Sequence, residues 1–194
     1  MLQFITSKSD KYSIKEEVQM AIEGGCLWIQ VSKSLPDGVK QKDIIDELRP
    51  LCEEKETFLL VDSDVELVKE ANIHGVLLKN EDMNPAEARE YLGAEAVIGV
   101  EVNNANEILA LKGLDIDYVV IDYNKFSISE IQNIIEEADK NGNNIHIVVS
   151  GRMEIVEMLS LMQIGVAGFA LSEQIIESPN PVIATTNILT ALSH

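Results

Sequence analysis

The segment from residue 58 to residue 102 constrains the fold more than any other part of the chain. It contains three short aliphatic runs, FLLVD, GVLLKN and AVIGVEV, separated by two amphipathic stretches. Strand, helix, strand, helix, strand in this rhythm is typical of parallel strands joined by helical crossovers. The runs also end in polar residues, and the carboxyl ends of parallel barrel strands share the face on which barrel active sites lie. The segment therefore predicts a parallel sheet and also the face that carries the site.

The same alternation continues over all 194 residues. Strands are predicted at residues 2–5, 26–31, 58–61, 76–78, 97–100, 118–121, 145–149 and 168–171. Helices are predicted at residues 14–23, 40–55, 64–72, 104–112, 129–140, 153–162 and 181–192, with another that begins near Pro85. Eight such units predict an α/β fold, a (β/α)8 TIM barrel that forms a single domain over residues 1–194 with short loops.

Side chains at the predicted helix starts support these boundaries. Ser13 and Glu16 have the spacing of a capping box. Four further residues are predicted to cap helices: Asp64, Asn84, Asn104 and Ser129. Pro50 is expected to bend its helix or to end its first part, because proline lacks the amide proton that a helix interior needs.

The charge of the chain restricts its partners. It has 33 acidic and 15 basic residues, a formal net charge of −18. Such a surface repels phosphate backbones and anionic lipids, so we expect neither nucleic acid nor a membrane as partner. No apolar run reaches the ~18 residues of a membrane span. The two cysteines, Cys26 and Cys52, lack a CxxC partner, which is typical of a reduced, cytoplasmic protein.

Polar residues at the predicted strand ends are the candidate site for a small-molecule ligand. They are Gln30, Asp62, Lys79, Asn80, Glu101, Asp122, Ser150 and Glu173. Two glycines, Gly151 and Gly168, are added as positions where the backbone can approach a ligand closely. Asp62 and Asp82 follow adjacent strands, and their carboxylates are predicted to hold Mg2+. Gly151 precedes a helix, where backbone N–H groups can meet a phosphate. The three histidines, His74, His146 and His194, are predicted to be structural.

Four segments carry a family resemblance: GGCLWIQVSK, FLLVDSDVELVKEANIHGVLLKNEDMNPAEAREYLG, VIGVEVNNANE and GVAGFALSEQI. Together they resemble the thiamine-phosphate synthase and thiazole tautomerase family over nearly the whole chain. The resemblance implies a (β/α)8 barrel that joins a pyrimidine pyrophosphate to a thiazole phosphate with Mg2+. It further implies that Gln30 orients the pyrimidine, that Asp82 with Asp62 holds the metal, and that the chain forms a homo-oligomer.

Several positions depart from the family pattern. Ser32 and Ser34 stand where the family has arginine and lysine, and Glu101 stands where it has serine. The loop after the sixth strand is shorter, and Glu173 begins the segment that follows the eighth strand. Fewer cations and more carboxylates weaken the binding of a pyrophosphate, which predicts weak synthase activity. Two alternatives stay open: a noncatalytic binding or regulatory barrel, and an enzyme whose less anionic substrate meets Glu101, Asp122 and Glu173.

Overall fold

The structure, a computed structural model, describes residues 1–142 and 144–193. Eight parallel strands form a closed barrel in which each strand pairs with the next and the first pairs with the last. The strands are β1 (Leu2–Ile5), β2 (Trp28–Val31), β3 (Phe58–Asp62), β4 (Gly75–Leu78), β5 (Val97–Val102), β6 (Tyr118–Asp122), β7 (His146–Ser150) and β8 (Gly168–Leu171). The predicted (β/α)8 barrel is confirmed.

The helices pack around the outside of the barrel. They are α1 (Ile14–Glu23), α2 (Gln41–Glu54), α3 (Val65–Glu70), α4 (Pro85–Leu92), α5 (Ala105–Ala110), α6 (Ile128–Lys140), α7 (Ile155–Gln163), α8 (Glu173–Ile176) and α9 (Pro181–Leu192). The short helix α8 lies between β8 and α9 and was not predicted, because four residues are too few to show a helical period. Within the described residues, no helix is both long and apolar enough to cross a bilayer.

Side chains that alternate along the strands form two separate cores. Outward-facing residues such as Phe4, Ile29 and Leu59 join the helices in one large aliphatic cluster. A smaller cluster fills the barrel interior and consists of Leu60, Leu77, Tyr118, Val120, Val148 and Ala170. Since both faces of each strand are buried, the strands read as continuous apolar runs in the sequence.

Strand boundaries differ from the prediction mainly at the carboxyl ends. Four strands continue one or two residues further, so that Asp62, Asp122 and Ser150 are the last residues of β3, β6 and β7. At the other end, β2 begins at Trp28 and not at Cys26, because the Cys26 amide donates to the Ala21 carbonyl at the end of α1. The last residues of these strands therefore place polar side chains at the carboxyl end of the barrel.

Most predicted helix starts are correct. Ser13 forms its capping box with Glu16, and three of the predicted N-caps accept a hydrogen bond from their own helices: Asp64, Asn84 and Asn104. The prediction for Ser129 is wrong, since Ser127 caps α6 and forms a capping box with Glu130. Pro50 lies inside α2 without ending it.

His74 and His146 lie away from the carboxyl ends of the strands. His74 precedes β4, and its Nδ1 accepts a hydrogen bond of 3.0 Å from the Leu59 amide. This contact is structural, as predicted. His146 is the first residue of β7 and is exposed. His194 lies outside the described residues.

Candidate functional site

The main cavity lies at the carboxyl ends of the strands and has a volume of about 580 Å³. It contains four of the predicted site residues, Asp122, Ser150, Gly151 and Glu173. The rest of its wall is Ile5, Thr6, Ser7, Lys8, Ser32, Ser34, Asn124, Arg152, Ala170, Ser172 and Gln174. Six hydroxyl groups and four charged side chains therefore surround this cavity. Its lining comes from the ends of β1, β6, β7 and β8 and from the segments that follow β1, β2, β6, β7 and β8.

A second cavity of about 280 Å³ lies beside β4 and β5. It takes three other predicted residues, Lys79, Asn80 and Glu101, together with Asp82. Apolar side chains form much of its wall, among them Leu78, Met83, Val100, Val102 and Leu111. The predicted acidic group of Glu101, Asp122 and Glu173 is thus divided between two cavities.

A chain of hydrogen bonds crosses the barrel interior below these cavities. Gln3 Nε2 donates to Gln30 Oε1 at 2.6 Å and lies 3.4 Å from the Tyr118 hydroxyl. Gln30 Nε2 in turn donates to Asp62 Oδ1 at 2.5 Å. Lys79 Nζ donates to the other carboxylate oxygen, Oδ2, at 2.9 Å. Gln30 and Asp62 are almost completely buried, so both are held in place by other protein groups.

The Lys79–Asp62 pair sets the charge at this end of the barrel. Burial acts to lower the pKa of the Lys79 ammonium, but Asp62, with smaller contributions from Glu101 and Asp82, raises the pKa above its ordinary value. Lys79 is therefore a cation at neutral pH and is not a candidate for a neutral amine nucleophile. Its charge compensates the buried carboxylate of Asp62.

The arrangement does not fit the predicted Mg2+ site. Asp62 already meets the Lys79 ammonium and the Gln30 amide, and Oδ2 of Asp82 accepts the Lys79 backbone amide at 2.7 Å. An ammonium 2.9 Å from a carboxylate oxygen repels a second cation there. Among the described residues, no group of three or more His, Cys, Asp or Glu side chains is placed to hold a metal ion.

Gly168 does not belong to the carboxyl-end site. It is the first residue of β8, at the opposite end of the barrel from the cavity. A Cβ atom there would lie 2.8 Å from the carbonyl oxygen of Met1. The backbone approach that requires glycine is therefore an approach to Met1 and not to a ligand.

The loops after β7 and β8 form one side of the main cavity. Gly151 has a φ of +114°, a conformation that L side chains rarely adopt. Its neighbour Arg152 is exposed and donates to Glu177 at 2.8 Å. After β8, Ser172 leads directly into helix α8. In (β/α)8 barrels, loops after strands 7 and 8 together with a short extra helix frequently bind phosphate.

The loop after β1 forms another side of the cavity and was missed as a part of the site. Ser7 and Lys8 line the cavity, and Ser7 is tied to Glu17 of α1 through its backbone amide at 2.9 Å and its hydroxyl at 3.0 Å. A signal for Glu17 does exist in the sequence, because this residue shares a helix face with Ile14, Val18 and Ala21. No periodic signal distinguishes Ser7 or Lys8.

The fold and the cavity define the chain as a parallel (β/α)8 barrel with a polar cavity at the carboxyl ends of its strands. A family model described as thiamine monophosphate synthase matches residues 2–175. The chain belongs to this family, as the resemblance of its four sequence segments predicts.

Curated relatives and solved structures agree with this membership. A thiamine-phosphate synthase of Bacteroides fragilis is 33% identical over 97% of this chain and 98% of that protein. Another, from Bacteroides thetaiotaomicron, is 31% identical over 97% of this chain and 95% of that protein. The thiamine phosphate pyrophosphorylase from Pyrococcus furiosus superimposes with a TM-score of 0.83 over 99% of this chain and 95% of that chain. At 24% identity, this last likeness bears on the fold alone.

Proposed function

We propose that the chain binds a phosphorylated, thiamine-related small molecule in the main cavity. Membership of the thiamine monophosphate synthase family supports this class of ligand. The observation that carries the proposal is the meeting of the β7 and β8 loops and helix α8 at this cavity, the place where barrels of this kind frequently bind phosphate.

The charges and hydroxyls of the cavity suit a single phosphate group. Lys8 and Arg152 supply two cations, and Arg152 is exposed enough to leave Glu177 for a ligand. The hydroxyls of Ser34 and Ser172 donate no hydrogen bond within the described residues and are available to a ligand. Against this, Asp122 and Glu173 add two negative charges, which favours a monophosphate over a more highly charged pyrophosphate.

We infer that joining a pyrimidine pyrophosphate to a thiazole phosphate is slow or absent. Ser32 and Ser34 bring no positive charge to the cavity wall, and Asp62 is engaged by Lys79 and Gln30. Mg2+, which the resemblance implies as cofactor, stays a prediction, as do the homo-oligomer and the cytoplasmic location. On these observations the chain is a barrel of the synthase family that binds a ligand without catalysing its conversion.

The second cavity favours one other candidate function, action on a less anionic substrate. Its wall combines apolar side chains with the carboxylates of Asp82, Glu101 and Glu107. The cation nearest to Glu101, Lys125, stands 3.9 Å away and donates to Asn103 instead. A small apolar amine would contact the apolar wall and would replace Lys125 as the cation beside the Glu101 carboxylate.

Thermal unfolding with single ligands tests these proposals. The ligands are thiamine phosphate, thiazole phosphate, pyrophosphate and an unphosphorylated heterocyclic amine, each with and without Mg2+. A ligand at 100 times its Kd stabilises the folded state by about 2.7 kcal/mol. We expect such a stabilisation with a monophosphate, reduced in Arg152→Ala and unchanged in the matched control Lys140→Ala, an exposed lysine of α6.

The other outcomes separate the alternatives. A shift with pyrophosphate that needs Mg2+ and disappears in Asp82→Ala, together with turnover in a synthase assay, would contradict the binding-only version. A shift with the amine alone, lost in Glu101→Gln, would support the second cavity. No shift with any phosphate would overturn the proposed ligand class.

A further inference from the structure

Glu17 lowers the stability of the folded state. Its side chain is fully buried on the face of α1 that packs against the barrel, between Ile14, Val18 and Ala21. No lysine, arginine or histidine among the described residues forms an ion pair with it. A buried carboxylate without a cation lowers stability, and burial accordingly raises the pKa of Glu17, against the opposing effect of its bonds to Ser7.

Both hydrogen bonds that Glu17 accepts come from one residue of the cavity wall. Oε2 accepts the Ser7 backbone amide at 2.9 Å, and Oε1 accepts the Ser7 hydroxyl at 3.0 Å. Ser7 is the second residue after β1, and Ser7 and Lys8 both line the main cavity. The carboxylate therefore ties helix α1 to the start of the β1–α1 loop, residues 6–13, at the point where this loop borders the cavity.

We propose that Glu17 is a positioning residue, whose buried carboxylate holds Ser7 and thereby fixes the β1–α1 loop as a wall of the ligand cavity. A leucine at position 17 would complete the apolar face of α1 and would make the folded barrel more stable. We therefore attribute the presence of Glu17 to its hydrogen bonds with the cavity wall and not to a contribution to stability. That the loop contributes to ligand affinity rests on the proposed function.

Two substitutions separate the roles of Glu17. Glu17→Leu removes both hydrogen-bond acceptors and places an apolar side chain of similar size in the core. Glu17→Gln keeps one acceptor and can still form two neutral hydrogen bonds, because its amide oxygen can accept the Ser7 amide and its amide nitrogen can donate to the Ser7 hydroxyl oxygen. A purely structural role would make Glu17→Leu less stable than the natural chain.

The first readout is hydrogen exchange of the Ser7 and Lys8 amides, which needs no ligand. Loss of a charge-assisted hydrogen bond is expected to speed exchange at Ser7 about tenfold or more in Glu17→Leu. Thermal unfolding should show an equal or higher Tm for the same variant. Glu17→Gln should restore slow exchange. Unchanged exchange at Ser7 in Glu17→Leu, or a lower Tm, would overturn the proposal.

The second readout is the thermal shift with thiamine phosphate. We expect Glu17→Leu to lose most of the shift and Glu17→Gln to recover it. If the natural chain shows no shift with any phosphate, the proposed function fails while the exchange result still decides the role of Glu17. A full shift in Glu17→Leu despite faster exchange would refute the link to the ligand.

Should Glu17→Leu not fold, Ser7→Ala removes one of the two hydrogen bonds from the loop side. Its amide exchange and its ligand shift then replace those of Glu17→Leu.

Discussion

At the scale of residues, two buried carboxylates determine the charge and the hydrogen bonding around the site. Asp62 lies at the barrel mouth in contact with Lys79 and Gln30, and Glu17 lies behind the cavity wall in contact with Ser7. Asp62 has Lys79 as a cationic partner, whereas Glu17 has no cationic partner among the residues that the structure describes. Because a buried carboxylate is stable only when its partners offset the loss of water, the two residues should respond in opposite ways to the removal of charge.

Neutralising Glu17 should stabilise the protein at neutral pH. A carboxyl group whose folded-state pKa is raised favours folding below its unfolded pKa, and this contribution is lost as pH rises through the folded-state pKa. Glu17→Gln lacks this loss, so its Tm should exceed that of the natural chain at pH 7. The difference should shrink as pH falls below the ordinary pKa of glutamate. Calorimetry from pH 4 to pH 8 measures this difference, and a Tm gain that grows toward low pH would contradict it.

Removing the partner of Asp62 should destabilise the protein. Lys79→Met leaves a buried carboxylate with only amide donors, and the loss of a hydrogen bond to a charged group costs about 1.5–3 kcal/mol. Lys42→Met, which removes an exposed lysine paired with Asp46, is the matched control and should cost far less. Urea unfolding gives both values. The double variant with Asp62→Asn should recover part of the loss, and additive effects would show that the pair is not coupled.

Local signals explain most of the helix boundaries at the scale of elements. The capping box of α1 and the N-caps of α3, α4 and α5 were predicted from three- or four-residue patterns, because a cap depends on neighbours in sequence. The start of α6 was misplaced because two serines two residues apart, Ser127 and Ser129, precede the same apolar face. Only Ser127 has Glu130 at the spacing of a capping box.

Substitution of these two serines checks the corrected boundary. Ser127→Ala removes the hydroxyl that accepts the Glu130 amide and should cost about 1 kcal/mol of unfolding free energy. Ser129 is the second residue of α6. Ser129→Ala should change the free energy of unfolding little, since alanine is the better helix former. Urea midpoints at equal m-values give the comparison. An equal loss in both variants would contradict the assigned cap.

The excess of negative charge acts at the scale of the whole molecule. A net charge of −18 on 194 residues produces self-repulsion that salt screens. Raising NaCl from about 0.01 M to about 0.15 M shortens the Debye length from roughly 30 Å to roughly 8 Å, so the Tm at pH 7 should rise. Near the pI of about 4.4 the same salt should have a smaller effect. A Tm that is independent of salt at pH 7 would show that the repulsion is already compensated by local pairs.

The sequence by itself determined the βα order, the (β/α)8 class, the family and the face of the site. The order, the class and the face follow from short-range patterns: apolar strand runs, helical periods, caps, and the rule that parallel strands end on one face. The family follows from the resemblance of four sequence segments. Asp122, Ser150, Gly151 and Glu173 were predicted as site residues for this reason and do line one cavity. Only the tertiary structure decided which strand ends share a cavity. It also decided that Asp62 pairs with Lys79 and does not share a metal ion with Asp82, and that Gly168 allows a close approach of the Met1 backbone. The contact of Glu17 with Ser7 is a third such result. Each of these depends on side-chain direction and on contacts between residues far apart in the chain, which barrel closure creates and which no local pattern encodes.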